Sequence, residues 1–89
     1  MALKIAFIFV APKSDPKKHY AVVDTPLVIM TAVGVVDCKA AVDVARELVN
    51  GGDVALELSG GFGVEGTAAI MAGVKGKASV GVVRFENHA

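Results

Sequence analysis

The chain has 89 residues, one domain's worth, with 54% hydrophobic side chains and nine basic against nine acidic residues. Zero formal charge argues against nucleic-acid binding through a bulk basic surface, and the apolar content without low-complexity tracts argues against disorder. The single cysteine, Cys38, rules out an intrachain disulfide and suits a reducing cytoplasm.

Taken in order, Leu3 to Ala11 is a nearly unbroken run of Ile, Phe, Val and Ala. Such runs belong to strands buried on both faces, as in parallel sheets, and this reading is preferred to a signal peptide because no small-residue cleavage site follows. Asp15-Pro16 has the form of a helix N-cap with proline at the first helical position, which predicts a short helix over Lys17 to Val23. Leu27 to Val36 is a second apolar, β-branched strand, and the surrounding apolar stretch is too short for a membrane span, which takes about 20 residues. Asp37 caps a helix from Cys38 to Asn50, with Ala41, Val42, Ala45, Leu48 and Val49 on one face, and Gly51-Gly52 stops it. Asp53 to Leu58 is a third strand, Ser59 to Gly63 a glycine turn, Val64 to Val74 a helix, and Ser79 to Phe85 a fourth strand.

The order β-α-β-α-β-α-β predicts a single α/β domain over residues 1–89 with a mainly parallel four-stranded sheet, flavodoxin-like or quarter-barrel-like. Its weak point is the first crossover: without a helix over Lys17 to Val23, the first strand is open to antiparallel pairing. Within Val64 to Val74 only Glu65 and Thr67 are polar. A helix apolar all round is covered on two sides, and in so short a chain the second cover points to another subunit, hence a homo-oligomer.

Ligands of parallel α/β sheets bind beyond the carboxyl ends of the strands. Here those ends carry Lys13, the turn Ser59-Gly60-Gly61-Phe62-Gly63, and Arg84. Glycines let backbone N–H groups approach a ligand, and the helix N-terminus that follows favours an anion. The reading is a small phosphate- or carboxylate-bearing ligand on the turn, with Lys13 and Arg84 as charge partners and Glu57 and His88 as candidates for proton transfer. A tight strand-to-helix turn that needs glycine for its own geometry is the competing reading. Gly61-x-Gly63-x-x-Gly66, with Glu86 20 residues on, also has the spacing of a dinucleotide-binding unit, but the chain is far shorter than such a domain and no cofactor is expected. The histidines, His19 and His88, and the lone Cys38 have no metal-ligand spacing, so no metal is expected.

The start Lys4-Ile5-Ala6-Phe7-Ile8-Phe9-Val10-Ala11-Pro12, the turn Gly60-Gly61-Phe62-Gly63 and the ending Val80-Gly81-Val82-Val83-Arg84-Phe85 together resemble a small bacterial and archaeal family of uncharacterised α/β proteins, carried as a domain of unknown function. The resemblance implies a compact α/β domain and carries over no catalytic residue. Two functional readings follow: a protein binding a small anion at the glycine turn, or a structural module that forms a homo-oligomer or docks on a partner without catalysis. Neither nucleic acid nor membrane is an expected partner.

Overall fold

In the computed structural model, which describes residues 2–86, the chain forms a five-stranded sheet with two helices. The strands are β1 (Leu3–Val10), β2 (Tyr20–Asp24), β3 (Val28–Val35), β4 (Ala55–Leu58) and β5 (Ser79–Val82), and the helices are α1 (Cys38–Asn50) and α2 (Gly63–Val74). The strand order is β2-β3-β1-β4-β5. β1 is the central strand and runs parallel to both β3 and β4, β4 runs parallel to β5, and β2 lies antiparallel to β3 at the edge.

The four-stranded, mainly parallel sheet expected from the sequence is thus a five-stranded mixed one. The difference lies at Lys17 to Val23. Asp15 does form the capping turn: its Oδ1 accepts from the Lys17 N–H at 2.9 Å, and its carbonyl accepts from Lys18 and His19. The turn then ends, because Tyr20, Val22 and Val23 suit a strand and β3 offers them a five-residue antiparallel ladder. Thr25 closes the hairpin, its Oγ1 donating to the Val28 carbonyl and accepting from the Val28 N–H. The antiparallel partner is therefore β3's, and β1 remains parallel on both sides.

Both helices lie on one face. α1 carries the chain from β3 across β1 to β4, and α2 carries it onward to β5. Both crossovers advance in the same direction, so right-handed connections place both helices on the same side. A doubly wound sheet of the flavodoxin type, with helices on both faces, is not what this connectivity builds. Ala6 and Ile8 of β1, Val35 of β3, and Leu56 and Leu58 of β4 form one core with Ala41 and Ala45 of α1 and Ile70 and Val74 of α2.

α1 follows the sequence pattern closely. The Asp37 carboxylate accepts from the Ala40 N–H at 2.8 Å, and Gly51 terminates the helix. α2 has no side-chain N-cap, and only Gly66, Ile70 and Val74 along it are buried. The helices approach closely at Gly73, where a Cβ would lie 2.8 Å from Cγ1 of Val42.

Candidate functional site

At the carboxyl ends of the parallel strands, the glycine turn packs against the end of β1. A Cβ on Gly61 would lie 2.9 Å from Cγ1 of Val10, and Gly63 has φ +69°, a conformation that side chains disfavour. Gly66 faces Phe62 and Cys38, whose thiol points to the Gly66 carbonyl at 3.6 Å. Each glycine of the Gly61-x-Gly63-x-x-Gly66 pattern thus has a packing or backbone reason of its own. Ser59 precedes the turn with its Oγ buried and without a hydrogen-bond partner, and the residue as a whole is only partly buried.

The charged candidates are dispersed around this edge. Lys13 is exposed at φ 63°. Arg84 is held by Glu86 at 2.6 Å, both largely exposed, so the carboxylate with dinucleotide spacing is engaged by its neighbour. The hollow beside the turn is lined by Gly60, Gly63, Val64, Ala68, Met71 and Val82, an apolar set apart from Thr67, and neither Lys13 nor Arg84 reaches it. Glu57 stands exposed on β4, in register with Phe7 and Gly81. His88 lies outside the described residues. His19 accepts the Asp15 N–H on Nδ1 at 2.8 Å. Among the described residues no cluster of His, Cys, Asp and Glu could hold a metal ion, and no helix is long and apolar enough to cross a membrane.

The sheet face away from the helices is a second feature. Side chains alternate across a strand. Since Ala6 and Ile8 point to the helices, Ile5, Phe7 and Phe9 point away, together with Met30 and Ala32 of β3 and Val23 of β2. No helix covers them. The Phe7 and Phe9 rings stack with centroids 6.3 Å apart, and the Phe9 ring lies over Gly34. Farther across, a Cβ on Gly81 would meet nothing within 4 Å. Glu57 is the one ionisable side chain on this face within β1, β3, β4 and β5.

The third feature is a groove of about 510 Å³ on the helix side, between α1 and the edge of the sheet. Its cause is geometric. Two helices of about 10 Å diameter cover about four strands spaced about 4.8 Å apart, and β2 is left with all five residues exposed. Val44 and Leu48 of α1 and Thr31 and Val33 of β3 line it, with Tyr20 of β2 opposite and Asp53 at one end.

With this geometry in view, a family model matches residues 3–89: the family of unknown function DUF6506. The chain belongs to that family. No curated protein and no solved structure matches it.

The family assignment is consistent with the uncharacterised domain family expected from the sequence, and leaves the chemistry to the geometry. The sequence motifs point to the carboxyl edge and mark neither the open sheet face nor the groove. The signal for the first is present, since odd and even positions of β1 from Ile5 onward are alike apolar while the helices available to cover them number two. For the groove the pointer was Asp53, an acid just after Gly51-Gly52 at the mouth of an apolar strand.

Proposed function

We propose that this protein is a self-assembling α/β module in which two copies pack their open sheet faces together, giving a helix–sheet–sheet–helix sandwich. One observation carries the reading: the two long strands β1 and β3 are apolar on both faces over most of their length, and the sheet has its own helices on only one. Parallel sheets are almost always covered on both sides, and β1, apolar throughout from Ile5 to Val10, is the kind of strand that belongs to a doubly covered sheet.

Size and chemistry favour a second copy as the cover. The eight-residue strands β1 and β3 span about 26 Å, β2, β4 and β5 only half to two-thirds of that, and at about 4.8 Å per strand the five cover roughly 450 Å² before side-chain relief is counted. A stable dimer buries about 800 Å² per partner, so this face is of the right order. Phe7 and Phe9 sit on the central strand, where the residues that dominate binding energy usually lie. A face with one ionisable group and a flat apolar centre is complementary to itself when two copies meet about 10 Å apart, sheet to sheet.

Sedimentation equilibrium tests the reading. The native protein is expected at twice the 9.1 kDa chain mass, and Phe7→Lys at the single-chain mass with unchanged far-UV circular dichroism. Met71→Lys, on the exposed flank of α2, is expected to leave the mass doubled. A native protein at 9.1 kDa throughout the micromolar range overturns the reading. Dissociation by Met71→Lys in place of Phe7→Lys moves the interface to α2.

A further inference from the structure

We infer that the groove between α1 and the β2–β3 edge is a binding site for a small organic ammonium carrying an apolar body. The groove lies on the helix side of the sheet, so this inference does not depend on how the opposite face is covered.

Its floor is apolar, built by Val33, Val44 and Leu48. Positions 40, 43, 44, 47, 48 and 51 of α1 and its C-terminus form one helical stripe along it, and from Asp43 to Gly51 that stripe runs about 12 Å. Asp53 stands at one end. It is 5% exposed, the only charged residue buried among the described ones. Its Oδ2 is buried and accepts no hydrogen bond, while its Oδ1 lies 3.9 Å from Lys4 Nζ. Burial pushes the Asp53 carboxyl above its ordinary 3.8, and Lys4 pulls it only partly back.

A buried acceptor without a donor is costly. The cation beside it does not supply that donor: Lys4 Nζ donates to the Gly51 carbonyl at 2.7 Å and stands 3.9 Å from Asp53 Oδ1, outside hydrogen-bond distance. Asp43 and Glu47 add two exposed carboxylates along the α1 wall, against Lys17 at the far end. The lining therefore holds three carboxyl groups and two amines. An incoming ammonium supplies the donor that Asp53 lacks, with the Glu47 carboxylate on the same lining. Its apolar body covers Val44 and Leu48, and the exposed Tyr20 ring across the groove offers a face to a cation or an aromatic ring. A carboxylate ligand of the same shape would meet the same wall with the wrong sign.

The test is a titration of the ¹⁵N-labelled protein with 2-phenylethylamine and, separately, with phenylacetate, followed by amide chemical shifts. The amine is expected to give saturable shifts at Thr31, Val44, Glu47 and Asp53, and phenylacetate none. Asp53→Asn is expected to weaken the amine about tenfold or more, as the loss of a charge-assisted hydrogen bond does, and Glu47→Gln only a few-fold. Should Asp53→Asn not fold, Tyr20→Ala at its exposed position is expected to weaken the amine a few-fold. Equal shifts from both probes, no saturable shift from the amine, or unchanged affinity in a folded Asp53→Asn overturns the inference. Phe7→Lys, on the opposite face, is expected to bind the amine as the native protein does.

Discussion

From Ile5 to Val10 the two faces of the central strand are both apolar and very differently covered. Ala6 and Ile8 are 0% exposed beneath the helices, whereas Ile5, Phe7 and Phe9, one residue out of phase on the same strand, remain only partly buried. Hydrophobicity does not distinguish the faces; the direction of the crossovers does. Because α1 and α2 step the same way across the sheet, handedness assigns both to one side and leaves the other without a helix.

The largest expected effect sets one face against the other. Ile8→Ala removes a fully buried side chain and is expected to cost about 2–5 kcal/mol at every protein concentration. Phe7→Ala is expected to cost an amount that depends on concentration: small where the chain is monomeric and growing where assembly contributes. Urea unfolding of both variants across a wide concentration range reads this directly. Equal and concentration-independent costs would remove the distinction between the faces.

Two glycines make the same comparison on a smaller scale. A Cβ at Gly73 meets Val42 at 2.8 Å between the helices, and one at Gly34 meets the outer edge of the Phe9 ring at 2.8 Å on the open face. Val42 is a short, stiff side chain held between packed helices, so Gly73→Ala is expected to cost about 1–3 kcal/mol. The Phe9 ring can swing outward, so Gly34→Ala is expected to cost less than about 1 kcal/mol in the monomer. The same swing disturbs the centre of the open face and is expected to weaken association. Unfolding free energies at high dilution, paired with sedimentation at higher concentration, separate the two effects.

Most elements were legible because their signals are local. The Asp37 cap and the Gly51-Gly52 stop bracket α1 at Cys38–Asn50, and the apolar runs mark β1 and β3 to within a few residues. The hairpin strand β2 was not legible, since Asp15-Pro16 starts a helical turn whichever structure follows. What ends it is a ladder with β3, a partner that no local pattern names. The site was less legible than the fold. Glycines at 61 and 63 read as a ligand cradle, yet contact with Val10 and a positive φ already account for them. Asp53 matters because of its burial, which depends on how Lys4 and the end of α1 come together.

The buried carboxylate on the helix side, Asp53, makes stability depend on pH. The folded state holds the Asp53 proton more tightly than the unfolded chain, because burial outweighs the attraction of Lys4. Its contribution to stability is therefore fully present below 3.8 and is lost as pH rises through the elevated value. Asp53→Asn, which keeps the shape without the charge, is expected to gain on the native protein progressively as pH rises from 3.8. Thermal unfolding over a pH series checks the sign, and a gap that narrows with rising pH would mean that Lys4 dominates.

Glu57 is the corresponding group on the open face, and its removal is expected to have the smallest effect. It is exposed, so Glu57→Gln is expected to change monomer stability by less than about 0.5 kcal/mol. Its position on β4, one strand from the centre and level with Phe7, puts it near the margin of a sheet-to-sheet contact. If the partner sheet reaches over β4, the carboxylate loses water on assembly, and glutamine is expected to tighten the dimer by up to about tenfold. Unchanged affinity would leave Glu57 in solvent and shift the partner toward β3 and β2, where Met30, Ala32 and Val23 continue the apolar surface without a charge. Measuring the dimer dissociation constant of this one variant therefore fixes how the two sheets are offset, which neither the mass of the assembly nor the Phe7 substitutions can resolve.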